Sequence, residues 1–337
     1  MSPTAPLRVP EPELVARVVD ALVRNGFDAQ VAAPVASTIV ACERDGTPSH
    51  GLLRLPGYIE AVHTGYADGR VLPEVVGKRD SMLVVDARQG FTHLALAQWR
   101  DDLMQRAART GTAVLLIRDA HHFAALWPDI EDFAVEGFVA ISCVTSRARV
   151  IGWGGTKAVF GTNASAFACP RADGPPIVWD QSASVMSQGD VLRAARQGLP
   201  LPEGVGVDID GVPTTDAARV LDGGALVAFG GVKGASIAFA VEILAAALSG
   251  SPFGFEAPVP GNRPSKCGQF LLLVDPRCAG TDVARRVEPL VDAVHASGTQ
   301  KLPGDRRYAR RQQAAEHGIE LDAHALDILD RCAPGTA

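Results

Sequence analysis

From Ser81 onward, apolar runs of strand length alternate with helix-length stretches, and this alternation commits the chain to an α/β core. "SMLVVDA" (81–87), "AVLLIRD" (113–119) and "FVAISCV" (138–144) read as strands. Residues 94–109 read as a helix stopped near Gly111, and residues 124–136 as another. The short strands "AFACP" (166–170) and "PIVWD" (176–180) follow, then a helix over 187–197. "DIDGVPTT" holds an Asp-Gly turn. Residues 234–248 read as a strongly apolar helix, too short to cross a bilayer. "QFLLLVDP" (269–276) reads as a strand, 282–295 as a helix, and the charged tail from Asp305 as a last helix.

The N-terminal part reads differently. Pro10-Glu11-Pro12-Glu13 opens a helix to about Arg24, with Leu14, Val15, Val18, Val19 and Leu22 on one stripe. Asn25-Gly26 ends it. Asp28 is placed to cap a second helix reaching Arg44. A third, short helix is expected over 52–63. The expected organisation is a helical region 1–80 packed with a tail 301–337, around an α/β core 81–300.

Composition narrows the function. Of 337 residues, 47% are hydrophobic and 21% charged, a globular balance. A net charge of −6 gives no general affinity for nucleic acid or anionic membrane. Charges break the apolar runs, so no membrane span is expected, and the N-terminus lacks a signal pattern. The six cysteines are scattered with no C-x-x-C pair, so reduced thiols, a cytoplasmic protein and no metal site are expected.

The candidate chemistry lies in a few segments. There is no G-x-G-x-x-G after a strand, and "FGGVKGAS" has Lys-Gly where a P-loop needs Gly-Lys-Ser/Thr, so neither standard nucleotide site is expected. Gly230, Gly231 and Gly234 around Lys233 read equally as an anion site at a helix start or as a tight turn. "TPSHGLLRLPGY" sets Arg54 and Tyr58 four and eight residues beyond His50, near one helix face. A histidine is the natural proton donor near neutral pH, and an arginine fork suits a carboxylate. Ser49 reads equally as a helix cap. His121-His122-Phe123 follow a strand directly, where open α/β sheets bind ligands. "DQSAS" (180–184) also follows a strand, and Gly304–Arg310 carries three arginines.

In order along nearly the whole chain, "SHGLLRLPGY", "HHFAALWPD", "WGG", "FGTN", "DGVPTTD", "GGVKG" and "LPGDRRYAR" resemble the malate/L-lactate dehydrogenase-like family. These are oxidoreductases with a non-Rossmann NAD(P)-binding α/β fold. Within the family, "HHFAALWPD", "MSQGD", "LPEGVGVD" and "PGDRRY" are most similar to the reductases of Δ1-piperideine-2-carboxylate and Δ1-pyrroline-2-carboxylate. The resemblance implies NADPH-dependent reduction of a cyclic α-imino acid by a homodimer, with NADH also possible. A 2-hydroxy acid dehydrogenase, or a reductase of a substituted or N-alkyl imine, is the alternative. By matched position it implies His50 as proton donor, with Ser49 and Asp190 as its relay. It implies Arg54, Thr162, Ala183 and Ser184 around the substrate. It implies His122, Phe123, Ala124, Ala125 and Leu126, then Asp180, Gln181 and Ser182, then Lys233 and Gly234, around the cofactor. Gly304, Asp305, Arg306, Arg307, Tyr308, Ala309 and Arg310 complete that set, and their arginines favour a 2′-phosphate. Family members often carry Asn-Pro at Asn163-Ala164 and Asp-Met-Ala-Thr-Ser at Asp180–Ser184. The similar reductases carry His at Gln188. These differences fall around the implied substrate pocket.

Overall fold

The segment around the Ser-His-Gly turn is held by two helices whose ends are set locally. Glu11–Arg24 begins with Pro12 and two acidic residues in its first turn. Ala29–Arg44 is capped by Asp28, whose side chain accepts from Gln30 N at 2.9 Å. Leu14, Val18 and Leu22 of the first helix pack on Val31, Val35 and Ile39 of the second. The structure, a computed structural model, describes residues 7–256 and 265–332.

Seven strands form the main sheet. In spatial order they are Glu74–Arg79, Met82–Asp86, Thr112–His122, Ser265–Val274, Val139–Val144, Ala164–Cys169 and Ile177–Gln181. Only Met82–Asp86 and Thr112–His122 pair in parallel; the other neighbours are antiparallel. The sheet is therefore not a doubly wound parallel one, as the missing glycine fingerprint predicts. A smaller five-stranded sheet is built from Val150–Ile151, Ala158–Phe160, Gly206–Val207, Pro213–Thr214 and Ala225–Leu226, with its own apolar cluster around Val150, Val205 and Leu226.

The chain ends meet. Leu7–Val9 pairs antiparallel with Ile319–Leu321, and Ile328 and Leu329 of the helix Ala323–Cys332 enter the N-terminal apolar cluster. Among the described residues no helix is long and apolar enough to cross a membrane.

Several expectations change. Glu74–Arg79 is a strand of the main sheet rather than part of a helical layer. The expected helix over 124–136 is a loop followed by the short turns Trp127–Asp129 and Glu131–Val135. The cause is local: Asp180 captures the amides of Leu126 and Trp127 at 2.7 and 3.1 Å, and Pro128 follows them. The strand "AVLLIRD" runs on to His122, and the last long strand begins at Ser265. The apolar helix starts at Val232 and turns into a π-helix over Glu242–Ala247.

A buried charge network joins three parts of the chain. Asp45 lies at the end of the second helix with its side chain fully buried. It accepts from Arg44 at 2.7 Å and from Arg311 of the helix Asp305–His317 at 2.6 Å. Arg311 also reaches Glu131 at 2.7 Å and stacks over Trp127. Arg311→Met leaves two buried carboxylates facing each other. Removing one partner of a fully buried pair costs ~3–5 kcal/mol. Because Arg44 stays on Asp45, the expected loss is about 2–3 kcal/mol, read as a lower urea midpoint. An unchanged midpoint would show that the network adds nothing to stability.

Candidate active site

The Ser-His-Gly segment is not an α-helix face. It folds into two 3-10 turns, Pro48–His50 and Leu52–Arg54, and the α-helix Leu55–His63 starts after them. Pro48 and the glycine explain the break. Glu43 reaches under the turn and accepts from Leu52 N at 2.7 Å. A Cβ on Gly51 would lie 2.6 Å from the Glu43 carboxyl carbon, so a larger residue there would push Glu43 out of its place under the turn. Burial pushes the Glu43 carboxyl up to about 7.

His50 and Arg54 open into one cavity of about 330 Å³. Its walls include the loop His122–Leu126, Thr162, the strand end Asp180–Ser182, and Arg306 and Arg307 from the tail helix. Five segments that are distant in sequence thus converge. His122 is the last residue of its strand and faces the cavity; its neighbour His121 points elsewhere, against Tyr66 and the carbonyl of Gln89. Tyr58 is fully buried beneath, edge-on to Phe123.

Arg54 is 8% exposed. Its guanidinium lies 4.2 Å from the centre of the Phe123 ring. Its Nε is buried without an acceptor, and no carboxylate pairs with it among the described residues. Burial lowers its pKa to about 10. A buried, unpaired guanidinium beside an open cavity calls for an anion.

His50 sits next to it. Burial pushes its pKa down to about 3, aided by the positive charge of Arg54 and by His122. The free site therefore holds a neutral imidazole at neutral pH, where the sequence led to an imidazolium. Ser49 Oγ lies 3.1 Å from His50 Nδ1. The other half of the implied relay is not drawn: the Asp190 carboxylate takes the Ser187 hydroxyl at 2.7 Å and Arg193 at 3.0 Å. Asp190 and Ser49 instead line a second, larger cavity of about 1040 Å³, outside the wall formed by Ser49, Arg54 and Gly189.

Thr162 is placed by a buried carboxylate. Glu242, at the start of the π-helix, accepts from Asn163 Nδ2 at 2.9 Å and from Gly254 N at 3.1 Å. Asn163 takes φ 41°, a left-handed conformation that asparagine tolerates. Thr162 N then donates to Ser146 Oγ at 3.0 Å. Ala183 is buried behind this wall, with its amide on the Thr162 carbonyl at 2.7 Å, and Ser184 is buried beside it.

The cofactor candidates divide. Asp180 faces the cavity but spends its carboxylate on the Leu126 and Trp127 amides, and burial raises its pKa. Arg307 stacks on Trp127 and donates to the Val178 carbonyl at 2.6 Å. Tyr308 donates to the Pro176 carbonyl at 2.8 Å, which fixes the start of the tail helix against the sheet. Gly304 turns there at φ 99°, and Asp305 accepts from Leu302 N at 2.7 Å. Ala309 is exposed, and Arg310 lies in the outer cavity against Gly46. Lys233 and Gly234 do not line the inner cavity. Gly234 packs its amide on the Phe229 carbonyl, Lys233 is exposed, and Gly231 approaches Trp153. Gln188 lines the inner cavity, and so do Arg147, Arg149 and Ser146, which sequence reasoning did not single out. Nothing in the short run "SRAR" distinguishes it from a solvated loop.

Residues 9–330 match the malate/L-lactate dehydrogenase family. The Δ1-pyrroline-2-carboxylate/Δ1-piperideine-2-carboxylate reductase of Pseudomonas syringae pv. tomato is 43% identical over 326 residues, 96% of this chain and 95% of that protein. The reductase of the same name from Pseudomonas putida is 43% identical over 327 residues, 96% of each. The crystal structure of Δ1-piperideine-2-carboxylate reductase from Pseudomonas syringae pv. tomato is similar with a TM-score of 0.94, covering 97% of this chain and 100% of that one.

The geometry makes the His50 titration depend on Arg54. In Arg54→Met the His50 ring, followed by NMR, is expected to protonate at a higher pH than in the native protein. An unchanged or lower value would show that Arg54 does not act on it.

Proposed function

Since the chain belongs to the malate/L-lactate dehydrogenase family and is thereby an oxidoreductase, we propose that it reduces a cyclic α-imino acid, of the Δ1-piperideine-2-carboxylate or Δ1-pyrroline-2-carboxylate type, with NADPH. The observation that carries this reading is the buried, unpaired guanidinium of Arg54 beside His50. Such a guanidinium takes the substrate carboxylate by a paired, charge-assisted contact. The carboxylate then fixes the ring so that one face of its C=N bond meets the cofactor.

A bound reduced nicotinamide supplies the hydride to C2. The residues present fit such a cofactor. The Nε of Arg307 is buried in this cavity without an acceptor, and the one carboxylate in the wall among the described residues is occupied by backbone amides. Arg306 and Arg307 on the tail helix suit the cofactor's phosphates, and Arg306 suits a 2′-phosphate. His122–Leu126 would lie along the cofactor.

His50 handles the proton. An unprotonated ring imine takes its nitrogen proton from His50, whereas one that arrives protonated donates its N–H to the neutral imidazole. When C2 gains the hydride, the C=N electron pair returns to nitrogen, and His50 holds the N–H in place. The carboxylate on Arg54 also offsets the charge that keeps His50 neutral, so the imidazole takes up a proton more readily in the complex. A 2-keto acid brings no proton, and a neutral His50 suits it less. Ser49 keeps the imidazole oriented. The same reading includes a cytoplasmic homodimer.

The test is oxidation of NADPH with both cyclic imines, and with pyruvate alone or with methylamine. Turnover of the cyclic imines is expected. Turnover of pyruvate alone, without the imines, would move the protein to the 2-hydroxy acid dehydrogenases. His50→Ala should lower kcat by about 10²–10⁴-fold, the range for a lost acid–base group, with the NADPH Kd nearly unchanged. An undiminished kcat would place the proton elsewhere.

A further inference from the structure

We propose that Arg147 and Arg149 form a second anion subsite at the substrate end of this cavity, which takes a second acidic group carried on the substrate ring. This rests on the reading of the cavity as the site of a cyclic imino acid reductase.

Both arginines leave the main sheet after Val139–Val144 and line the inner cavity with Ser146 and Thr162. Their backbone is pinned on both sides. Arg147 N donates to Ser265 Oγ at 3.4 Å, and Arg149 N donates to the Phe160 carbonyl at 2.7 Å. The Arg149 carbonyl accepts from Leu226 N at 2.7 Å. Two guanidiniums are thus delivered to one wall by a fixed loop.

The Arg149 charge faces no carboxylate of its own among the described residues. Arg149 Nε is buried with no acceptor. Burial and the Arg149 charge lower Arg147 to about 10, and burial also lowers Arg149. Arg54 lines the same cavity as the pair and adds a further repulsion on Arg147. The one carboxylate lining the cavity among the described residues, Asp180, already receives two amides. Beside the pair, the Ser146 and Thr162 hydroxyls share a hydrogen bond of 3.2 Å, which leaves one of the two protons to donate to an anion. Arg306 and Arg307 come from a different segment, so anions on that side already have cations. An acid on the ring, away from the C2 carboxylate, relieves the like-charge repulsion that the free site carries.

The probes are unreactive planar rings. Pyridine-2-carboxylate and its derivatives with a second carboxylate at each of the other ring carbons are titrated calorimetrically into the full chain saturated with NADPH. At least one diacid is expected to bind about tenfold tighter than the monoacid, the size of one charge-assisted hydrogen bond. Arg149→Met should erase that gain while leaving the monoacid and NADPH affinities within about threefold. Arg149→Lys should keep part of it, since the charge remains. No diacid binding tighter than the monoacid would overturn the subsite while the reductase reading stands. A drop in NADPH affinity in Arg149→Met, with the diacid gain intact, would overturn it in favour of a cofactor phosphate. A native protein that binds NADPH but neither kind of acid overturns the imino acid reading itself, and the subsite with it.

Discussion

The cavity depends on a carboxylate that never touches it. Asp45 ends the helix Ala29–Arg44 and leads within two residues into the turn that carries His50. Its buried oxygens hold Arg44 on its own segment and Arg311 on the tail helix. Arg311 in turn holds Glu131, just past the loop that lines the cavity. Three walls are therefore referred to one ion cluster. Taking Asp45 out of water would be costly with a single partner, and two cations make it tolerable. Trp127 adds an apolar floor under Arg307 and Arg311, so the tail helix is held by stacking as well as charge.

Against that compensated cluster, Arg54 and Arg149 stand out in the inner cavity. Among the described residues, Arg54 is as buried as many core residues but has no carboxylate partner, and Arg149 leaves its Nε without an acceptor. A chain that balances Asp45 so fully shows that balance was available. Burial, aided by the Arg54 charge, keeps His50 neutral in the free site. On the proposed reading, substrate binding is what completes the electrostatics: the carboxylate satisfies Arg54 and eases the protonation of His50 in one step. Glu43 plays a different part, because its carboxylate sits under Gly51 and sets where the His50 turn lies.

The α/β class, the first two helices and the central strands were legible because they depend on local signals. Asp28 caps as a capping residue should, and Gly111 ends its helix at φ 82°. What was not legible depends on contacts between distant residues. The 124–136 stretch has helical composition, yet Asp180, far along the chain, takes two of its amides. The two-residue strands of the small sheet carry too short a pattern to show a period. At the site, His50, Arg54, Thr162, Arg306 and Arg307, each from a separately read motif, line one cavity. Asp190 and Lys233 did not join them, because one is held by its own helix cap and the other by a glycine turn. Arg147 and Arg149 were silent in sequence because their meaning lies in the loop that delivers them.

The antiparallel sheet explains why side-chain cations are so prominent here. A doubly wound parallel sheet places helix starts at its strand ends, and their free amides hold phosphates. In this chain, the strand Thr112–His122 ends in a loop, and two of that loop's amides are already given to Asp180. The tail helix begins at Asp305, with an acidic residue in its first turn, which weakens that end as an anion site. With those two amides committed, anion recognition on the proposed reading falls to guanidiniums from separate segments. Their positions are then fixed by the fold as a whole, through Asp45 and the Ser146–Thr162 contact, rather than by one glycine-rich turn.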